Sequence, residues 1–428
     1  MTIEALYEHF LESTGISTDT RSINPGNIFF ALKGPNFNAN KFAKKAINLG
    51  ASIAIIDDEH YQSDNCILVK DSLLCLQNLA RHHRQNLKFP IIGLTGSNGK
   101  TTTKELIHSV LSQNYKVQST KGNLNNHIGV ALTILDFEKD LDFGIVEMGA
   151  NHQKEIEFLC TISQPDYGLI TNFGKAHLEG FGGVEGVIKG KSELYDFIRI
   201  KNRFVFINGD DPKQIKQIGD YDKVILFGSS AAFTINTEMI SSDQFVVLNY
   251  KDQIIKSHLI GDYNFGNIAV AVAIGAHFKM SPIDIKRGIE KYQPDNNRSE
   301  ILLKGTNKII LDAYNANPTS MMAALKNFSK LNAENKYLFL GDMFELGEDA
   351  EPEHQAVVNY VETYLNENIY LLGENFFKTS TKETTQKFIS FEESKDKLAS
   401  LEIQNAQILI KGSRGMALER ILDYIKFL

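Results

Sequence analysis

The 428-residue chain has few cysteines, no surplus of basic residues and no long apolar run. Cys66, Cys75 and Cys160 have no CxxC spacing and cannot pair off evenly, so they read as buried small hydrophobes in a reducing cytosol. Lys+Arg 45 against Asp+Glu 52 leaves a net charge of −7, which argues against a general binder of nucleic-acid backbones. No stretch approaches the roughly 18 apolar residues of a membrane span. The start, Met1-Thr2-Ile3-Glu4-Ala5-Leu6-Tyr7-Glu8, is acidic and amphipathic and lacks a signal-peptide pattern. Repeats and low-complexity tracts are absent too. The expectation is a cytoplasmic protein with no nucleic-acid partner and no membrane insertion.

What is present is alternation. The length predicts about two to four domains. Residues 28–32, 52–56 and 66–69 read as short apolar strands, with a helix at 40–49 and a basic helix ending near Arg84. This is a small α/β unit, residues 1–85. Residues 90–95 form a fully apolar strand of the buried parallel kind, followed by a glycine-rich turn and a helix from about Thr101 to Leu111. Strands at 143–147, 167–171, 203–208 and 223–227, with helices between, predict a doubly wound parallel sheet. Residues 233–259 change to short alternating strands, expected as an antiparallel addition, and an apolar helix at 264–278 would close a central domain spanning 86–296. The turn-rich Tyr292-Gln293-Pro294-Asp295-Asn296-Asn297 reads as a linker. Strands at 308–312, 336–340 and 408–410, a helix at 319–329 and a closing helix at 416–427 predict a Rossmann-like domain over 297–428. Three α/β domains are expected.

Between the apolar strand and its helix lies Thr95-Gly96-Ser97-Asn98-Gly99-Lys100-Thr101-Thr102. There, backbone N–H groups and the helix dipole converge on an anion. Gly96 and Gly99 allow the backbone to wrap a phosphate, Lys100 can set its charge between β- and γ-phosphates, and Thr101 offers a hydroxyl to Mg²⁺. The general pattern G-x-x-x-x-G-K-[ST] is not met strictly, because Leu94 stands where its first glycine belongs and Gly93 is one residue early.

This variant loop resembles that of the Mur ligases and of folylpolyglutamate synthetase. Four further segments resemble the Mur ligases in order and spacing: residues 122–129 (Gly-Asn-Leu-Asn-Asn-His-Ile-Gly), residues 171–179 (Thr-Asn-Phe-Gly-Lys-Ala-His-Leu-Glu), residues 312–320 (Asp-Ala-Tyr-Asn-Ala-Asn-Pro-Thr-Ser) and residues 411–414 (Lys-Gly-Ser-Arg). Asp19-Thr20-Arg21 and the run from Pro25 to Gly34 are similar to the family's uridine-nucleotide-binding domain. The resemblance implies a ligase that uses ATP and Mg²⁺, two ions in all, to convert a carboxylate into an acyl phosphate that an amine then attacks. It implies Thr101, Glu147 and His177 at magnesium, with Lys100, Glu147, His177, Lys191 and Arg298 as catalytic residues. Lys191, near Lys189, corresponds to the lysine that the family carbamylates. The loop from Thr95 to Thr102, with Asn267, Arg298 and Asp312, would hold ATP: Asn267 at adenine, Arg298 at the triphosphate and Asp312 at the ribose. Thr20 and Arg21 would meet the uridine nucleotide, and Asn123, Asn125 and Asn126 the peptide. Tyr314, Asn315, Asn317, Lys411 and Ser413 would line the amine side. Within the family, the pattern is most like the member joining D-alanyl-D-alanine to UDP-N-acetylmuramoyl tripeptide, as a monomer. Two relatives are the alternatives. The ligase adding the third peptide residue normally carries an Asp-Asn-Pro-Arg-like selector, not found here, and folylpolyglutamate synthetase lacks the uridine domain.

Overall fold

The computed structural model describes residues 1–295, 297–365 and 368–428. Residue 296, the last of the expected central domain and part of the expected linker, lies outside the described residues.

The first sheet is parallel and four-stranded, in the order Ile16–Ser17, Ile28–Phe30, Ile53–Ile56, Cys66–Leu68. Side chains alternate across a strand, so Ile28, Phe30 and Ile55 face one apolar cluster while Phe29, Ala54 and Ile56 face another. The second cluster is closed by alanines of helix Ala43–Asn48, and the first by helices Ile3–Glu12 and Ser72–Asn86. Asp71 caps helix Ser72–Asn86 by accepting from Leu74 N at 2.8 Å. That helix also packs Leu76, Leu79 and Ala80 into the cluster that contains Val130, Ile134 and Leu159 of the following domain. Cys160 is buried as expected, whereas Cys66 and Cys75 are only half-buried.

The central sheet has seven parallel strands: Ile235–Asn236, Val224–Gly228, Phe204–Asn208, Tyr167–Ile170, Ile91–Thr95, Phe143–Glu147, Val117–Ser119. The chain enters at Ile91–Thr95, builds to one side, and then returns to add Tyr167–Ile170 on the other. Such a reversal opens a crevice at the carboxyl ends of the strands, where ligands of doubly wound sheets bind. The expected antiparallel addition is present as Glu238–Ser241, Val247–Tyr250 and Gln253–Lys256. Helix Phe265–His277 does not end the domain, because helix Pro282–Lys291 follows. Ser281 caps it, with Pro282 in its first turn, and Ile285 and Ile289 bury against the sheet-covering helices.

The last sheet runs Glu300–Lys304, Asn307–Asp312, Ala406–Lys411, Asn335–Gly341, Ile369–Leu372, Gln386–Phe388. Its first strand is an antiparallel edge not anticipated from sequence, and the others are parallel. The expected closing helix over 416–427 does not form. Leu418, Ile421 and Ile425 bury at helical spacing, but Ala417 is left-handed at φ 47° and only 3₁₀ turns follow. Lys426–Phe427 instead pairs with Glu402–Ile403, and the Leu428 carbonyl accepts from Thr306 N at 2.8 Å. Capture of the chain end by the sheet edge outweighs the helical pattern.

Candidate active site

Strand Ile91–Thr95 ends in the glycine loop, and Gly99 (φ 79°) starts helix Lys100–Leu111. Gly96 has φ 143°, and a Cβ there would fall 2.0 Å from Thr171 Oγ1. At Gly99 it would fall 2.6 Å from Asn267 Oδ1. The loop is thus wedged between two neighbouring segments that only glycine admits. Thr171 Oγ1 donates to Asn98 O at 2.6 Å, Asn172 Nδ2 donates to the same oxygen at 3.0 Å, and Ser97 Oγ donates to Gly174 O at 2.9 Å. Lys100 Nζ curls back to Gly96 O at 2.8 Å. Burial lowers the Lys100 pKa, Glu147 opposes that shift and Arg298 reinforces it. Thr101 and Thr102 line the crevice, but the buried Thr95 side chain does not, its Oγ1 lacking any partner. Gly96 shapes the loop without lining the crevice.

Glu147 ends the adjacent strand and is 1 % exposed. Its Oε1 accepts from Asn125 Nδ2 at 2.8 Å, while Oε2 is buried with no partner. An orphaned carboxylate oxygen facing an anion loop fits a hard cation, which takes carboxylate oxygens and substrate phosphates. Among the described residues no cluster of three or more His, Cys, Asp or Glu side chains forms a cage by itself. Mg²⁺ typically needs none, since water and phosphate complete its shell. Thr101, Glu147 and His177 all line the crevice. His177 is half-buried, and its Nδ1 is already engaged by Glu345 of the last domain, so only Nε2 could take a metal ion. The imidazole in turn keeps the Glu345 carboxyl below its ordinary pKa.

Lys191 lies beneath the crevice floor, not in its lining. It is fully buried in helix Val184–Ile200, with Nζ donating to Ala150 O at 3.0 Å and sitting 4.9 Å from the centre of the Phe181 ring. Lys189 faces solvent. Burial, then the nearby Lys100, drives the Lys191 pKa well below the ordinary lysine value, with Glu155 and Glu193 opposing. A neutral amine is the form that can react with carbon dioxide, and burial moves Lys191 toward that form.

The last domain supplies the opposite wall. Arg298 stacks on Tyr314 with its guanidinium carbon 3.4 Å from the ring centre. Asp312 accepts from Ser299 N at 3.1 Å and from Lys411 Nζ at 2.5 Å. Lys411, 1 % exposed, is therefore the buried counter-ion of Asp312 before it is anything else. Asn315 is exposed at the rim. Asn317 caps helix Pro318–Lys330 and donates from Nδ2 to Asn98 Oδ1 at 2.7 Å, tying this domain to the phosphate loop. Ser413 lies outside the lining: its Oγ accepts from Phe344 N at 3.0 Å and holds a loop.

These walls enclose one cavity of about 1270 Å³, lined by all three domains. Asn123, Asn125 and Asn126 all line it, Asn125 with its Nδ2 spent on Glu147 and Asn126 with its Oδ1 accepting from Gly129 N at 2.9 Å, starting a helix. Asn267 lines it as well, its Oδ1 accepting from Thr103 Oγ1 at 3.1 Å. Thr20 and Arg21 sit on the first domain away from this lining, Arg21 exposed and bonded to Asp19, whose carboxyl it holds down at about 2. Sequence reasoning missed Gln77, Tyr263 and Ser299 in the lining and Glu345 behind His177. Tyr263 hydrogen-bonds Ser299 at 3.3 Å, and burial together with Asp312 raises its pKa, keeping the phenol neutral.

The chain is similar to known proteins over nearly its whole length. Residues 12–85, 94–275 and 297–414 match, in turn, the Mur ligase family catalytic domain, the Mur ligase middle domain and the Mur ligase glutamate ligase domain. The UDP-N-acetylmuramoyl-tripeptide--D-alanyl-D-alanine ligase of Bacillus subtilis is 33% identical over 423 residues, covering 95% of this chain and 92% of that protein. The chain belongs to the Mur ligase family. Among solved structures, MurF from Acinetobacter baumannii superimposes with a TM-score of 0.84 at 29% identity, covering 99% of this chain and 98% of that one. MurF ligase from Thermotoga maritima in complex with ADP gives 0.84 at 25% identity, with 97% of each chain covered. As a Mur ligase the protein is an ATP-dependent enzyme that forms peptide bonds. No described helix is long and apolar enough to cross a membrane.

Proposed function

We propose that this Mur ligase joins D-alanyl-D-alanine to UDP-N-acetylmuramoyl tripeptide, with ATP converted to ADP and phosphate, as a monomer in the cytoplasm. The observation that carries the reading is a single cavity in which the phosphate loop, the orphaned Glu147 oxygen, the Arg298–Asp312 wall and the Asn123/Asn125 amides converge. The division of labour follows: residues 1–85 hold the uridine nucleotide through Thr20 and Arg21, residues 86–296 hold the triphosphate, and residues 297–428 admit the amine past Tyr314 and Asn315.

The carboxylate of the tripeptide attacks the γ-phosphorus and ADP departs. The dipeptide amine then attacks the acyl phosphate carbonyl, and phosphate leaves as the amide forms. Without that phosphate the carboxylate carbon would have to expel an oxide or hydroxide, too poor a leaving group for the second step. Magnesium, when bound, neutralises the phosphates and the carboxylate oxygen together. Glu147, Thr101 and the Nε2 of His177 are the ligands the chain offers for two such ions. Lys100 and Arg298 set fixed positive charge where negative charge develops, Asp312 orients the ribose and Asn267 the adenine. Lys191, carbamylated, would put an anion in place of a buried neutral amine close to Lys100 and so orient that lysine. Asn125 positions Glu147, Asn317 holds the domains together, and Lys411 and Ser413 support Asp312 and the 343–345 loop.

The test is phosphate release by purified protein with ATP, Mg²⁺ and UDP-N-acetylmuramoyl tripeptide. Release should depend on D-alanyl-D-alanine. Dependence on a single amino acid with the dipeptide nucleotide, or on glutamate, would replace the reading with that of a sister enzyme.

A further inference from the structure

The central sheet has a second cavity, at the opposite ends of its strands. It measures about 730 Å³, and Pro90, Tyr167, Phe204 and Lys223 place it where the parallel strands begin, whereas the catalytic crevice lies where they finish. In an acidic chain this cavity is strongly basic. Arg84, Lys88, Lys201, Arg203 and Lys223 surround it against one carboxylate, Asp166. Asp166 is already fully engaged: it accepts from Arg84 Nη2 at 2.7 Å and from Ile91 N at 3.0 Å, and pairs with Arg203 at 3.3 Å. Among the described residues no carboxylate pairs with Lys88, Lys201 or Lys223. Lys223 Nζ donates only to a backbone oxygen, that of Asn202, at 3.0 Å.

Gathering like charges around a concave wall costs self-repulsion that a bound anion relieves. The wall itself is aromatic. Phe204 is 40% exposed, stacks at 20° on Tyr167, and has the Lys223 ammonium 5.7 Å from its ring centre. Lys201 stands 5.9 Å from the Phe197 ring in the same way. A planar ring can lie on Phe204 while a phosphate takes the lysine ammonium groups, and the volume is that of a small-ligand pocket. We propose that this cavity is a second ligand site, for a phosphomonoester carried on a planar ring. It is separate from the proposed ligation and does not depend on it.

The chain contains no tryptophan, so Phe204→Trp places the sole indole in this cavity and reads its occupancy whatever fills the crevice. Phenyl phosphate should change that fluorescence saturably. Lys201→Ala and Lys223→Ala should each weaken binding roughly tenfold, the size of one charge-assisted hydrogen bond, with ATP turnover unchanged. Phosphorus NMR on the unsubstituted protein, its crevice saturated with ADP, should give the same affinity for phenyl phosphate. The site is refuted by no saturable response in either measurement, or by equal affinity in the lysine variants. Equal response to phenol removes the phosphate from the proposal, and equal affinity for inorganic phosphate removes the ring; either overturns it.

Discussion

Asn317 is the residue at which the fold of the last domain and the geometry of the active site can be separated. Its Oδ1 accepts from Ser320 N at 2.9 Å, capping helix Pro318–Lys330, while its Nδ2 reaches Asn98 Oδ1 at 2.7 Å in the phosphate loop. Asn317→Ala removes both functions: about 1 kcal/mol for the cap and about 1 kcal/mol for the cross-domain bond. At roughly 2–4 °C per kcal/mol for a unit of this size, the melting temperature should fall by about 4–8 °C. Asn317→Ser keeps the cap, since serine is as good a capping residue, but is too short to reach Asn98. It should lose about half as much stability. Its turnover should fall by roughly 2- to 10-fold, the worth of one neutral hydrogen bond. Asn317→Asp keeps the cap and opposes a carboxylate to Asn98 Oδ1. The Nδ2 of Asn98 is buried without a partner, so a half-turn of that amide restores the bond, and this variant should stay near the parent in both assays. Differential scanning calorimetry and a phosphate-release assay on the three variants decide the matter. An aspartate variant worse than alanine, or a serine variant as unstable as alanine, refutes the separation of roles.

Glu147→Gln should abolish the extra thermal stabilisation that Mg²⁺ adds to nucleotide and lower turnover about 100-fold or more; undiminished Mg²⁺ stabilisation would show that Oε2 faces no cation. Lys191→Ala should lose most activity and regain part of it with added short-chain acids, while Lys189→Ala stays active, and full activity in the Lys191 variant would rule its role out. Burial holds the Lys191 pKa well below 10.5 in the fold, so between that lowered value and 10.5 the unfolded chain binds one proton more than the native chain, and stability rises with pH across that window. With carbon dioxide excluded, urea denaturation should therefore show the parent gaining on Lys191→Met as pH increases; a difference flat with pH contradicts the buried amine.

Much of this site was legible because phosphate chemistry depends on local backbone geometry. A strand, two glycines and a helix start must be contiguous in sequence, so Gly96 and Gly99 announce themselves. Glu147, at the end of a neighbouring strand, and His177, in the loop after another, stand out through their resemblance to the family's segments and not by position alone. What escaped was whatever depends on partners distant in sequence. The left-handed Ala417 and the captured Leu428 carbonyl undo a helix that apolar spacing alone predicts. Lys189 and Lys191 are two residues apart in one helix, and only tertiary packing makes one a surface charge and the other a buried amine. Ser413 and Lys411 carry the motif, yet the first holds a loop and the second pairs with Asp312. The contact of Glu345 with His177 joins two loops far apart in sequence. Helix Pro282–Lys291 is a different kind of miss, since Ser281 followed by Pro282 and Asp284 is a readable helix start.

Helix Ser72–Asn86 packs its apolar face into the first domain and the central one at once, and Gln77 donates across to His127 O at 3.0 Å. A shared helix is not a hinge. The first two domains are therefore joined through a common helix as well as by the chain. A ligand held by Gln77 and the Asn123–Asn125 run alone touches only that united part, whereas one that also reaches Arg298 or Tyr314 bridges it to the last domain.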